Sequence, residues 1–210
     1  MFKRRCMENT EKKNRIKCVL FDLGGVLVRI HPERFFKKIK FDPHGLKEKM
    51  SRFEVDSSMG LKAPEEVLAS WMQAYKINLP LAECVSVFKE EYIGKKIRQV
   101  FKLITQLQRS GLMIGLLSNT NALHFEYAFS RIKEFGSFQK LYLSFKLHLM
   151  KPDPKIFQHV TRDLGFDPDE ILFIDDTTAN IEAALTAGWQ AIKVTTNDPE
   201  VRAIRKKINI

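Results

Sequence analysis

Four times along this chain a short apolar run stops on polar residues and a turn. Lys17–Asp22 (KCVLFD) runs into Gly24-Gly25, and Leu112–Leu117 into Ser118-Asn119. Leu141–Phe145 leads to the loop holding Lys151 and Pro152-Asp153-Pro154, and Ile171–Ile174 runs into Asp175-Asp176. Runs this short and this continuously apolar suit strands buried on both faces. A further run, Ala191–Val194, fits the same description. Helical spacing fills the intervals: Val100, Leu103, Ile104 and Leu107 up to Gly111, Asn121 to Lys133, Pro154 through Phe157 and Val160, and Ala179 to Ala187 stopped by Gly188. Strands alternating with helices predict an α/β fold with a mainly parallel sheet.

Between the first and second runs the rhythm is only helical. Pro32 can open a helix through Phe35, Phe36 and Ile39. Pro64 with Glu65 and Glu66 opens another, carrying Val67, Leu68, Trp71, Met72 and Tyr75 on one stripe. A third runs from Leu81 to about Tyr92. This block reads as an insertion over the sheet, which divides the chain into a core of residues 1–29 and 95–210 and a helical segment of residues 30–94.

At 210 residues the chain is long enough to bury a full core without staples. No run of 18 apolar residues exists, which argues against a membrane span. Three cysteines, Cys6, Cys18 and Cys84, form neither a disulfide framework nor a metal-binding pair spacing. The basic N-terminus is followed by no signal-peptide core, so the cytoplasm is the expected compartment. Lys and Arg number 35 against 25 Asp and Glu, a formal charge of +10 that favours anionic partners. The excess gathers at the ends, with Arg202, Arg205, Lys206 and Lys207 at one, and reads as solvated tails. No zinc-finger, RNP or basic-heptad pattern supports nucleic acid as a partner.

In parallel α/β sheets ligands sit outside the carboxyl ends of the strands. Taken singly, Asp22, Ser118-Asn119, Lys151 and Asp175-Asp176 each have an ordinary explanation as turn, cap or loop residues. Their recurrence at successive strand ends is far more specific.

That conjunction resembles the haloacid dehalogenase superfamily, most of all its sugar-phosphatase branch of α-glucose-1-phosphatase-like proteins. FDLGGVLV (Phe21–Val28), LLSNTNALH (Leu116–His124), MKPDPKIF (Met150–Phe157) and ILFIDDTTANIEAA (Ile171–Ala184) are similar to its four motifs. The resemblance implies a Rossmann-like three-layer core with a small helical cap inserted after the first strand. It implies a Mg²⁺-dependent phosphatase acting on a small phosphorylated metabolite, with sugar phosphates the class this branch suggests. Asp22 would be the nucleophile, and Ser118, Asn119 and Lys151 would hold the phosphoryl group. Asp22, Asp176 and the Gly24 carbonyl would bind the metal, with Asp175 and Asn180 bracing them. The chemistry is coherent: a carboxylate that attacks phosphorus needs a cation between two anions, and Mg²⁺ prefers hard oxygen ligands.

One position departs from the pattern. Most phosphatases of the superfamily carry a second aspartate two residues after the nucleophile, as general acid and base; here it is Gly24. Losing such a group costs on the order of 10²–10⁴ in rate. His31, Glu33 and residues of the helical segment are the candidates to move the proton instead. Two other readings compete: a catalytically impaired binding protein on the same fold, and a 2-haloacid dehalogenase, whose metal-free chemistry the Asp175-Asp176 pair disfavours.

Overall fold

The computed structural model describes residues 16–42 and 55–208. The strands are β1 (Cys18–Phe21), β2 (Val28–Ile30), β3 (Ile93–Lys96), β4 (Met113–Ser118), β5 (Lys140–Leu143), β6 (Ile171–Asp175) and β7 (Gln190–Lys193). Five of them form one parallel sheet in the order β5-β4-β1-β6-β7. The chain builds outward from β1 to β5, then crosses back to place β6 and β7 on the other side. Strand order therefore reverses beside β1, where a doubly wound sheet opens its crevice.

Helices cover both faces, which is why all of β1 and β6 is buried. Val19, Phe21, Leu116 and Ile174 point to one side, against α4 (Arg98–Arg109) and α9 (Val201–Ile208). Cys18, Leu20, Leu117 and Phe173 point to the other, against α7 (Pro154–Leu164) and α8 (Thr178–Thr186). Strand alternation thus feeds two cores from one sequence run.

Among the described residues, α1 (Pro32–Lys38), α2 (Pro64–Ala74) and α3 (Leu81–Tyr92) lie between β2 and β3 in sequence, with a further helical turn over 55–58. Prolines open α1, α2 and α7, as their positions predict. The three helices share a core of their own, with Phe35, Leu68, Trp71, Met72, Cys84 and Val87 buried. Rings hold it together: Phe35 meets Phe88 edge-on at 5.2 Å, and Phe41 meets Trp71 edge-on at 4.9 Å.

Three features differ from the sequence expectation. The run Leu141–Phe145 is a strand only to Leu143; α6 (Ser144–Leu147) follows at once. Ser144 is the cause: its hydroxyl accepts from the Thr120 N–H (3.0 Å) and donates to the Thr120 carbonyl (3.1 Å), turning the chain off the sheet edge. Second, β2 and β3 form an antiparallel ribbon at the base of the helical segment. Third, the basic C-terminal stretch is not a loose tail. It folds as α9, with Ile204 fully buried and Arg205 donating to Gln106 of α4 at 2.7 Å. The basic N-terminal residues lie outside the described residues, as does Cys6; Cys18 and Cys84 are buried free thiols. Among the described residues, no helix is long and apolar enough to cross a membrane.

Candidate active site

The sheet brings the motif residues to one edge. Asp22 follows β1, the central strand, and its N–H donates to Ile174 of β6 at 2.9 Å. Ser118 ends neighbouring β4, and Asp175 ends β6 on the other side. Lys151 arrives on the loop between α6 and α7, whose Lys151–Pro152 peptide is cis. Asn119 fixes that loop: its amide donates to the Lys151 carbonyl (2.7 Å), and its carbonyl oxygen accepts from the Lys151 N–H (2.9 Å).

Lys151 is the centre of the site. It is 1% exposed, and its ammonium donates to Asp22 Oδ1 (2.9 Å) and Asp175 Oδ2 (2.6 Å). Burial pulls its pKa down, but the charges of Asp22 and Asp175 outweigh this and hold it above the ordinary lysine value. Asp22 behaves oppositely. Burial pushes its carboxyl up to about 6, against the pull of Lys151 and with a further push from Asp175. Asp175 is itself braced: Asn180 donates to both its oxygens (3.2 and 3.0 Å), and the Thr177 N–H donates to Oδ1 at 2.7 Å.

Asp176 differs from Asp175 in being partly exposed to the cavity. Oxygens of Asp22, Asp175 and Asp176 all lie within 4.8 Å of one another. Lys151, Thr177 and Asn180 engage both oxygens of Asp175, and Lys151 also engages Oδ1 of Asp22, so the carboxylates of Asp176 and Asp22 are the less committed ones that could hold a cation. An all-oxygen set with room for water suits Mg²⁺. Gly25 makes this packing possible. Its φ is +74°, and a Cβ there would fall 2.4 Å from Asp176 Oδ2.

Above these residues opens a cavity of about 510 Å³, floored by Asp22, Ser118, Lys151 and Asp176 and roofed by aromatic side chains of α1, α2 and α3. His124 joins floor to roof. It sits in the first turn of α5 (Ala122–Arg131), capped by Asn121, and stacks on Phe88 at 4.1 Å. Its Nε2–H donates to the Phe88 carbonyl (3.2 Å), leaving Nδ1 to accept from Asn121 Nδ2 (3.3 Å). Burial pushes its pKa down to about 4, so it is neutral at physiological pH.

Asp22, Gly24, Ser118, Asn119, Lys151, Asp176 and Asn180 all line this cavity. His31 and Glu33 do not: they face each other at 3.1 Å outside it, His31 against Gly94 of β3. Two residues escaped the sequence reading. His124 carries no role in the sequence motif that contains it. Asn197, in the turn after β7, accepts from the Ile30 N–H (2.8 Å) and donates to the Ile30 carbonyl (3.1 Å). Its own N–H donates to the Gly25 carbonyl at 2.8 Å. A positive φ of 63°, which Asn tolerates, was the available signal.

A family model for haloacid dehalogenase-like hydrolases matches residues 16–188. The chain belongs to this family. It is 27% identical to D-ribitol-5-phosphate phosphatase of Bacteroides thetaiotaomicron, over 85% of this chain and 91% of that one. It is 23% identical to a sesquiterpene phosphatase of Aspergillus oryzae, over 85% of this chain and 90% of that one. Against acyl-CoA dehydrogenase family member 10 of Mus musculus the match is 27% over 61% of this chain, and spans only 12% of that protein. A haloacid dehalogenase family enzyme of Bacteroides thetaiotaomicron, crystallised with magnesium and inorganic phosphate, superposes with a TM-score of 0.79. It is 27% identical and covers 90% of this chain and 100% of its own.

Proposed function

We propose that this hydrolase is a Mg²⁺-dependent phosphoric monoester hydrolase working through an aspartyl-phosphate on Asp22. The observation that carries the reading is the buried Lys151 ammonium held against Asp22, with the open carboxylate of Asp176 beside them. Asp22 attacks phosphorus; an Asp22–phosphorus bond forms, the ester P–O bond breaks, and the alcohol leaves with its electron pair and takes up a proton. Water then attacks the acyl phosphate, releasing inorganic phosphate and restoring the carboxylate. Lys151 and the Ser118 hydroxyl offset the charge on the transferring oxygens. Asp175 and Asn180 keep Lys151 aimed. Asp22, Asp176 and the Gly24 carbonyl would hold Mg²⁺, which supplies positive charge between the carboxylate and its anionic substrate. Residues 30–94 act as a cap over the core of residues 1–29 and 95–210, with the substrate between them.

A small phosphorylated metabolite is the substrate class this supports. Two relatives of similar coverage are named for different alcohols, a pentitol and a sesquiterpene, so the phosphoryl chemistry carries over and the alcohol does not. A catalytically impaired binding protein has less support, because three crowded carboxylates around a buried lysine have no folding advantage over apolar packing. The test is phosphate release from p-nitrophenyl phosphate, with Mg²⁺ and after chelation. Release that stops with the chelator and returns with Mg²⁺ is expected. Metal-independent release, or halide release from 2-chloropropionate, overturns the reading.

A further inference from the structure

We infer that His124 is a positioning residue for the reaction: it sets the spacing between the loop that holds the phosphoryl group and the wall that meets the leaving group. Its loss should therefore be felt in proportion to the size of that leaving group. This rests on the phosphoryl-transfer reading of the floor. Two observations carry it.

The first is that one imidazole ties together two distant parts of the chain. On the loop side, the Asn121 side-chain oxygen accepts from the His124 N–H (3.0 Å), and Asn121 Nδ2 donates to His124 Nδ1 (3.3 Å). These bonds fix the start of α5, directly after Ser118-Asn119-Thr120. On the wall side, Nε2–H donates to the carbonyl of Phe88, in the middle of α3 (3.2 Å). The imidazole stacks on Phe88 at 4.1 Å and lies 4.5 Å from Tyr92. It is buried and both its nitrogens are engaged, so it acts through the groups it holds.

The second is that both ends of this tie line the cavity, Ser118, Thr120 and Asn121 from the loop and Phe88 and Tyr92 from α3. The loop has other supports. Asn119 is bonded to the Lys151 backbone, and Thr120 to the Ser144 hydroxyl. Lys151 is held by Asp22 and Asp175. Without His124 the phosphoryl site keeps its geometry, and the wall loses its tie to that site. A misplacement of about 1 Å costs on the order of 10²-fold in rate. That loss falls on leaving groups large enough to reach the wall.

The experiment compares acetyl phosphate with p-nitrophenyl phosphate, using the full chain and Mg²⁺. Both leaving groups depart readily without a proton donor, and they differ in size. His124→Phe keeps a ring to stack and removes both nitrogens; His124→Gln keeps an N–H within reach of the Phe88 carbonyl. In His124→Phe, kcat/KM for p-nitrophenyl phosphate should fall at least tenfold more than for acetyl phosphate. In His124→Gln the two should differ by no more than about threefold. Equal losses for both compounds, no loss in either, or a size-dependent loss as large in His124→Gln as in His124→Phe overturns the inference and leaves the phosphatase reading intact. If His124→Phe does not fold, His124→Asn, too short to reach Phe88, takes its place with the same expectation. If wild type releases phosphate from neither compound, the phosphatase reading fails. Calorimetric binding of phenylphosphonate and methylphosphonate then decides. A loss of affinity at least tenfold greater for the phenyl compound sustains the positioning role; equal losses, or no binding by wild type, refute it.

Discussion

The floor and the roof of the cavity are built by different physics. On the floor, Lys151, Asp22, Asp175 and Asn180 are fixed to one another by short charge-assisted hydrogen bonds beside the ends of β1 and β6. In the roof, Phe35, Phe88, Trp71 and their neighbours are fixed by ring contacts between helices. Directional bonds on a sheet edge define one geometry closely, as a reacting centre requires. Ring packing sets a shape and a polarity, and tolerates change as long as volume and apolarity are kept. The same division separates what the chain does to phosphorus from which alcohol it releases.

Substitution on the floor should therefore act on chemistry first. Asp22→Asn keeps the shape and removes the attacking anion. Turnover should fall by at least ~10⁴-fold, as when other nucleophiles are deleted, with the thermal midpoint little changed. Hydrolysis at an undiminished rate by the purified variant would falsify the covalent route.

The next largest effect separates floor from roof by stability. Lys151→Met leaves Asp22 and Asp175 buried without their cation. Removing one partner of a buried pair costs about 3–5 kcal/mol, read as a lowered urea midpoint at neutral pH. The same variant at pH 5 should recover part of the loss, because Asp22 can then take up a proton. A midpoint equal to wild type at both values would mean that the network contributes nothing to the fold.

The two regions also respond to acid with opposite sign. The Asp22 carboxyl is raised from 3.8 to about 6 in the folded protein, so the folded state binds the extra proton and gains stability as pH falls through that window. His124 is lowered from 6.5 to about 4, so the unfolded chain binds the proton and stability is lost as pH falls from 6.5. In metal-free buffer the two oppose each other between pH 6.5 and 4. His124→Gln removes the roof's share, so its thermal midpoint should rise relative to wild type as pH falls through that window. A difference between wild type and variant that does not change with pH would show that His124 keeps an ordinary imidazole pKa.

Legibility from sequence followed the same line. Asp22, Ser118, Asp175 and Asp176 stand at the ends of local apolar runs, so patterns such as Lys17–Asp22 and Ile171–Ile174 locate them without any long-range information; Lys151 stands farther on, in the loop beyond its run. The pairing of β2 with β3 was not legible. Val28–Ile30 is three residues long, and its partner lies beyond the whole helical segment. Ser144 ended β5 early through a bond to Thr120, a contact that no local pattern encodes. The C-terminal helix was legible in principle. Val201, Ile204 and Ile208 stand three and four residues apart, but the charges between them drew the reading toward a tail. The roof's helices were visible as stripes; that their rings enclose the cavity depended on how three stripes meet.

The smallest effect tests the one place where roof intrudes on floor. Gly24 occupies the position where most phosphatases of the superfamily carry an acid. A Cβ there would lie 3.1 Å from Ile30 Cγ2, and Asn197 pins the Ile30 backbone from both sides. Ile30 thus fills with hydrocarbon the space an aspartate would take. Without that acid, esters with poor leaving groups should suffer most. Phenyl and benzyl phosphate present similar apolar rings to the roof, but phenol is far more acidic than benzyl alcohol. Wild type should therefore favour phenyl phosphate strongly. Gly24→Asp alone should narrow the gap little, because Ile30 crowds the new side chain. Gly24→Asp with Ile30→Ala should narrow it by at least ~10-fold, within the ~10²–10⁴ range of a positioned proton donor. Equal kcat/KM for the two esters in wild type would mean that the proton already comes from elsewhere. Since His31 and Glu33 lie outside the cavity lining, the groups to substitute next would be the Thr120 and Tyr92 hydroxyls.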